Sequence, residues 1–156
     1  MNSIQFTAPD SLPDFRQVIA FLWRDGHNVD TDGNSHNPAQ RDWTYLYMCN
    51  RESEDEWFEV SDVLESPHIM CVESESLPLA ARAAYYLATV AGGEVSLDSA
   101  SFSAPSVLLP LLDEGFDAAA ALQRATDSAF ARSTLDNPFP NLSQEDAQRA
   151  VRAFNL

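Results

Sequence analysis

Lysine is absent from this chain, and arginine supplies all nine basic residues against 24 aspartates and glutamates, for a formal net charge of −15. A surface this negative repels DNA, RNA and anionic membranes, because binding to phosphates requires cations. It attracts a basic protein instead, and long-range attraction speeds that encounter. The charge therefore favours a basic protein partner and argues against nucleic acid and a membrane surface.

Cysteine is scarce, and long apolar runs are missing. Cys49 and Cys71 are the only two cysteines, too few to staple 156 residues, and they form no CxxC pair. We expect both to be buried free thiols. The N-terminal residues 1–6 lack the charged and apolar regions of a signal peptide. No run approaches the length of a membrane span, so we expect a soluble, cytoplasmic protein.

Motifs of common enzyme classes are also missing. The sequence contains no glycine-rich phosphate loop, no GxSxG and no HExxH. Glu54, Asp55 and Glu56 are adjacent, but a run of carboxylates at a hairpin turn is solvated, whereas catalytic carboxylates normally lie singly in an apolar pocket. We therefore predict no enzyme activity, no catalytic residues and no cofactor.

Two weaker hypotheses concern metal ions and thiol chemistry. Asn28, Asp30 and Asp32 precede Gly33 as in the opening of a calcium loop, but Ala39 stands where that loop needs a bidentate glutamate. The second alternative is a small enzyme or metal-binding protein that uses Cys49, His68 and Cys71, if neighbouring strands bring them together. Neither set has complete ligand spacing, so no metal is predicted.

The spacing of apolar residues predicts an α+β fold. Strands over 4–7, 43–50, 57–61, 69–72 and 94–97 and helices after Pro13 and from Pro78 give the order β-α-β-β-β-α-β, with a polar loop over 27–41. We expect an antiparallel or mixed sheet of four to five strands with two covering helices. Helices over 105–113, 116–132 and 143–154 make the last third helical. The whole chain, 1–156, is predicted to be one domain, with an α+β core at 1–98 and a helical extension at 99–156.

The negative charge is concentrated in one segment. Residues 52–101 contain eleven acidic residues and one arginine, which gives a net charge of −10. Because like charges repel, solvent or a partner must take up the charge of such a block. The segment is also rich in Trp, Phe, Val and Ile, which form strands. It therefore predicts a folded binding face and not a disordered acidic tail.

An aromatic residue lies inside the acidic segment. In the predicted strand 57–61, Trp57 and Glu59 point to the side opposite Phe58 and Val60. If Phe58 and Val60 enter the core, Trp57 lies outside among carboxylates, as an anchor residue does in a binding hot spot. The alternative is that Trp57 packs under a helix. The predicted partner-binding residues are Glu52, Glu54, Asp55, Glu56, Trp57, Glu59, Asp62 and Glu65.

The segment from Glu73 to Arg82, continued through Ala91-Gly92-Gly93-Glu94-Val95, resembles strand–helix–Gly-Gly–strand passages of bacterial immunity proteins, the dedicated inhibitors of toxins used between competing bacteria. The resemblance is one of type and covers about residues 43–98. It implies an immunity protein of an interbacterial toxin system, of the polymorphic or type VI secretion kind. Such a protein binds a cognate basic toxin that acts in the cytoplasm and occludes its active site.

Another hypothesis is a nucleic-acid mimic of phage type, whose carboxylates would be spaced like phosphates along an extended surface. The concentration of acidic residues in one segment favours the hypothesis of an immunity protein over that of a nucleic-acid mimic. The absence of lysine together with alanine-rich stretches suggests codon bias in a GC-rich bacterial genome. The sequence leaves open whether the protein is a monomer or a homodimer.

Overall fold

Alternating apolar residues build a six-stranded antiparallel sheet in the computed structural model, which describes residues 1–63, 66 and 68–154. The strand order across the sheet is β2-β3-β4-β5-β1-β6. The strands are β1 (Asn2–Thr7), β2 (Val29–Gly33), β3 (Tyr45–Asn50), β4 (Trp57–Asp62), β5 (Ile69–Ser74) and β6 (Val95–Ser96). The predicted α+β class is confirmed.

Four α-helices accompany the sheet: α1 (Phe15–Leu22), α2 (Leu77–Val90), α3 (Ala118–Asp127) and α4 (Gln144–Phe154). Two 3₁₀-helices, Pro105–Leu111 and Ala129–Arg132, lie before and after α3. The Ser76 hydroxyl accepts a hydrogen bond from the Leu79 N–H, which fixes the start of α2. At its end, a Cβ on Gly93 would collide with the Thr7 carbonyl, so only glycine lets the chain pass this close to β1.

One face of the sheet forms the core. Phe6 of β1, Met48 of β3, Phe58 and Val60 of β4 and Val72 of β5 are all fully buried. Helix α2 packs on this side against β1, β4 and β5. Its buried surface is largely alanine, which lets the helix backbone approach the large side chains of the sheet closely.

The C-terminal third shares this core. Leu108, Leu112, Ala121 and Ala125 are buried in the same hydrophobic cluster as the sheet residues. Arginine side chains link the C-terminal third to the helices through hydrogen bonds. Arg124 donates to the carbonyls of Ala20 at 3.0 Å and Phe21 at 2.9 Å near the end of α1, and Arg82 donates to the Leu112 carbonyl at 2.8 Å.

A buried ion pair ties the segment after α3 to the start of α1. Arg16 donates to both carboxylate oxygens of Asp14, at 2.9 and 2.6 Å. The same guanidinium donates to the Pro138 carbonyl at 2.6 Å, and the Ser133 hydroxyl donates to Asp14 at 2.6 Å. Asp14 is fully buried, so its charge depends on these donors.

Two details of the predicted fold are wrong. The sheet has six strands because β2 lies in the segment predicted to be a loop; its sequence, Val-Asp-Thr-Asp-Gly, has no apolar alternation, since it is a largely exposed edge strand. The predicted helix 116–132 is divided, because the Ser128 hydroxyl accepts from Phe130 N–H and starts a separate 3₁₀-turn.

Candidate protein-binding face

Most side chains on the second face of the sheet are half-exposed, although Cys71 and Ser96 on it are buried. Antiparallel registers place its side chains in rows that cross the strands, because residues opposite each other point to the same side. We call this surface the open face; its rows are Asp30–Cys49–Trp57, then Asp32–Tyr47–Glu59–Glu73–Ser3, then Tyr45–Ser61–Cys71–Gln5–Ser96. The six strands themselves carry no lysine or arginine.

Aromatic side chains cluster on the β3–β4 part of the open face. The rings of Tyr47 and Trp57 lie with centroids 6.3 Å apart at an interplanar angle of 30°. The Tyr45 hydroxyl donates to Glu59 Oε2 at 3.3 Å. All three aromatic side chains are half-buried, so one side of each remains available to a partner.

Burial and neighbouring charge keep the two tyrosines protonated. The pKa of Tyr45 is raised by burial and then by the adjacent Glu59 carboxylate, which favours the neutral phenol. The pKa of Tyr47 is also raised, first by burial and then by its contacts with Cys49 and Asp30. Tyrosine is already protonated at physiological pH at its ordinary pKa of about 10, and the raised pKa values of Tyr45 and Tyr47 extend the protonated range to more alkaline pH.

Two carboxylates face each other at the centre of the open face. Glu59 of β4 lies directly opposite Glu73 of β5. Both are half-buried, and neither forms a salt bridge within the described residues. Like charges opposite each other destabilise a sheet, so the free protein carries an unfavourable pair at this position.

The residues predicted to bind a partner are only partly brought together. Trp57 and Glu59 lie on the open face, with Phe58 and Val60 fully buried behind them, which is the arrangement the alternation predicts. Three further predicted residues are exposed on the β3–β4 turn: Glu52, Glu54 and Asp55. This turn lies at the Cys49 end of the open face, where the Cys49 thiol is 3.6 Å from the Glu54 carbonyl oxygen.

Two residues of the predicted partner-binding set lie away from this face. Glu56 turns away, because its carboxylate accepts hydrogen bonds from Trp23 Nε1 at 3.2 Å and from Asn50 Nδ2. Asp62 is exposed but pairs with Met70 at the end of β4, on the side that the core residues occupy. Glu65 lies outside the residues that the structure describes.

The predicted partner-binding set lacks five acidic or aromatic residues of the open face: Asp30, Asp32, Tyr45, Tyr47 and Glu73. The alternation of Tyr45 and Tyr47 with Leu46 and Met48 places the two tyrosines on one side of β3. The order of the strands brings Tyr45 and Tyr47 next to Trp57 and Glu59, and no local sequence pattern predicts that order. Asp30 and Asp32 were read as loop ligands because their polar edge strand resembles a loop.

The alternative sites are not assembled. Asp30 and Asp32 lie in the strand β2 and not in a calcium loop, and Asn28 precedes that strand. Cys49 and Cys71 are free, and their strands are separated by β4, where they lie opposite Trp57 and Ser61. Within the described ranges, no group of three or more His, Cys, Asp or Glu side chains is placed to hold a metal ion.

Cys71 is buried, as predicted, whereas Cys49 is only half-buried. The Cys71 thiol lies 2.9 Å from the Ser3 hydroxyl. Burial raises the pKa of Cys71 against the lowering effect of that hydrogen bond, which disfavours the reactive thiolate. His68 is exposed at the residue before β5.

No protein-family model matches the chain, and no significant similarity is found to a curated protein or to a solved structure. Among the described helices, none is both long enough and apolar enough to cross a membrane. The geometry of the open face is therefore the basis for assigning a function.

Proposed function

We propose that the chain is a protein-binding inhibitor of the immunity type, which neutralises a basic toxin in the cytoplasm by laying its open face over the toxin's active site. The observation that carries this proposal is a half-exposed sheet face on which the rings of Tyr47 and Trp57 lie beside Glu59 and Glu73, two carboxylates that form no salt bridge among the described residues. A face of this kind would bury apolar area and pair cations at once when a partner docks.

The distribution of arginine supports the same conclusion. Four of the nine arginines are used inside the fold, where they hydrogen-bond to backbone carbonyls or buried side chains: Arg16, Arg41, Arg82 and Arg124. On the open face, Arg51 forms a salt bridge of 3.6 Å with Asp30 between two exposed side chains, whereas Glu59 and Glu73 pair with no arginine among the described residues. A basic cleft, such as that of an enzyme acting on nucleotides or nucleic acid, has the complementary charge.

The alternative functions receive less support. A nucleic-acid mimic would need a regular line of carboxylates, but the Tyr47 ring separates Asp32 from Glu59 in the central row. A thiol enzyme or metal protein would need its residues together, but β4 lies between the strands of Cys49 and Cys71. A flat aromatic and acidic surface is more typical of protein recognition.

The test is affinity capture with the tagged chain from its native host at low and high salt, followed by mass spectrometry. The wild-type chain is compared with the double variant Glu59→Arg/Glu73→Arg and with a control, Glu114→Arg/Asp136→Arg. The control changes the charge equally at two exposed positions away from the sheet.

We expect one basic protein in near-equal amount that survives high salt with the wild type and the control but is lost with the open-face variant. Co-expression of that protein should then be toxic unless the wild-type chain is present. Capture of many proteins that are lost together as salt rises would refute the proposal, because it would show non-specific attraction only.

A further inference from the structure

The central carboxylates of the open face have unused hydrogen-bonding capacity. Glu59 and Glu73 together present four carboxylate oxygens, and within the described residues the Tyr45 hydroxyl is the one side-chain donor that reaches them. The two residues lie opposite each other on neighbouring strands, which run about 4.8 Å apart. That separation suits a single donor group with several N–H bonds pointing in fixed directions.

The aromatic rings of Tyr47 and Trp57 lie next to Glu59 on the open face. Tyr47 lies directly opposite Glu59 across the β3–β4 ladder, and Trp57 precedes Glu59 by two residues on the same side of β4. Both rings are half-exposed. A planar cation placed over them gains a cation–π interaction while its edge reaches the carboxylates. A guanidinium is planar and has five donors, whereas an ammonium is a point charge that stays strongly hydrated.

The chain contains an internal example of this chemistry. The Arg16 guanidinium lies 4.0 Å from the ring centroid of Phe130 and 4.9 Å from that of Phe139. Its edge is paired with both oxygens of Asp14. Arginine stacked on rings and held by a carboxylate is therefore compatible with this fold. Beside Tyr47 and Trp57, Glu59 and Glu73 have no such cation among the described residues, since the Arg51 guanidinium pairs with Asp30 instead.

We infer that the partner presents an arginine to the open face, with its guanidinium stacked over Trp57 and Tyr47 and hydrogen-bonded to Glu59 and Glu73. This inference rests on the proposed function and specifies its recognition chemistry. The bound arginine relieves the repulsion between the two glutamates, so the unfavourable pair in the free protein becomes a specific site in the complex. A lysine at the same place makes one salt bridge and no planar stack.

The experiment titrates the whole chain with two peptides of equal length and charge, nona-arginine and nona-lysine, while NMR follows all backbone amides together with the Trp57 indole N–H and the Tyr47 ring. We expect nona-arginine to bind about fivefold or more tightly than nona-lysine, because only the guanidinium stacks. The variant Glu59→Gln/Glu73→Gln should lose about tenfold in arginine-peptide affinity, and the neutral control Glu114→Gln/Asp136→Asn should lose about twofold or less through net charge alone.

Two results separate failure of the inference from failure of the proposed function. If both peptides bind equally and shift Trp57 and Tyr47, arginine recognition is wrong but the open face remains the binding surface. If the shifts lie elsewhere, on the turn or on α4, both the inference and the proposed face are wrong. The variant Trp57→Leu, which keeps both glutamates, should reduce the preference for arginine; an unchanged preference would also overturn the stacking part of the inference.

Discussion

The two faces of the sheet are built from the same strands but have opposite chemistry. On β4, Phe58 and Val60 are fully buried under the helices, while Trp57 and Glu59 from the alternating positions are half-exposed on the open face. On the covered face, the large apolar side chains are buried in the core. On the open face, the like-charged pair Glu59 and Glu73 forms no salt bridge among the described residues, and the rings of Tyr47 and Trp57 remain partly solvated. The proposed recognition of another protein would account for such features, which cost stability in the free protein.

The comparison extends to charge. The covered side holds Asp14 with bidentate arginine and two further donors, whereas the open face holds Glu59 with a single tyrosine donor. Charges behind the sheet are therefore part of the fold, and charges on the open face are available for binding. Substitutions of residues on the covered side and on the open face should therefore change stability by different amounts, and the effects that we expect follow in decreasing order.

The largest effect is expected from truncation on the covered face. Phe58→Ala should lower the free energy of unfolding by about 3–5 kcal/mol, because it leaves a cavity in the core. Trp57→Ala, one residue earlier, should cost only about 1–2 kcal/mol, since its side chain is already half-exposed. If the proposed function is correct, the same change should abolish partner binding. Urea denaturation measures the free energies of unfolding of the two variants, and equal losses of stability would contradict the division between the faces.

A similar loss is expected when a buried charge is left alone. Arg16→Leu should destabilise the protein by about 3–5 kcal/mol, because Asp14 remains buried without its cation. The exposed pair Arg149–Glu145 provides the control, and Arg149→Leu should cost less than about 0.5 kcal/mol. Hydrogen exchange should also show faster opening at Ser133, whose hydroxyl shares the network; unchanged exchange there would show that the C-terminal segment is held by other contacts.

A smaller effect of opposite sign is expected on the open face. Glu73→Gln should raise the free energy of unfolding by about 0.2–1 kcal/mol, because it removes the like charge opposite Glu59. Glu75→Gln, an exposed position just after β5, is the matched control and should change stability less. Thermal and urea denaturation at low salt test this, and a destabilised Glu73→Gln would mean that Glu73 has a structural partner.

The smallest effect concerns alkaline pH. The pKa values of Tyr45 and Tyr47 are raised above 10 in the folded state, so the folded protein holds these protons more tightly than the unfolded chain. Their contribution is complete below pH 10 and is lost as the pH rises through the folded-state pKa values. Tyr45→Phe/Tyr47→Phe should lose less stability than the wild type between pH 10 and 11. Tyr86 and Cys71, which also have raised pKa values, are present in both proteins and cancel.

The sequence predicted the parts of this molecule that depend on local period. The alternation from Trp57 to Val60 was sufficient to assign β4 and to place Trp57 on the side opposite Phe58 and Val60, but it left open whether Trp57 is exposed or packs under a helix. The edge strand β2 was missed because its residues face solvent, so no apolar alternation marks it. The pattern of a strand is visible only where one of its faces is buried.

Long-range contacts account for the remaining errors. Glu56 looked like one more surface carboxylate, but Trp23, 33 residues away in the chain, binds it. The position of Glu73 beside Glu59 depends on β4 pairing with β5, and no local motif fixes that register. Arg16 and Ser133 are separated by most of the chain, so the network around Asp14 could not be anticipated from sequence spacing.

The most direct test of the central claim is site-specific photo-cross-linking in the native host. The photoreactive residue p-benzoylphenylalanine replaces Tyr47 on the open face in one protein and Val107 in a second protein. Val107 is 46% exposed on the 3₁₀-helix that packs against α2, on the opposite side of the molecule. We predict that position 47 cross-links to one basic protein and that position 107 does not. Equal cross-linking from both positions, or cross-linking only from position 107, would contradict the assignment of the open face as the binding surface.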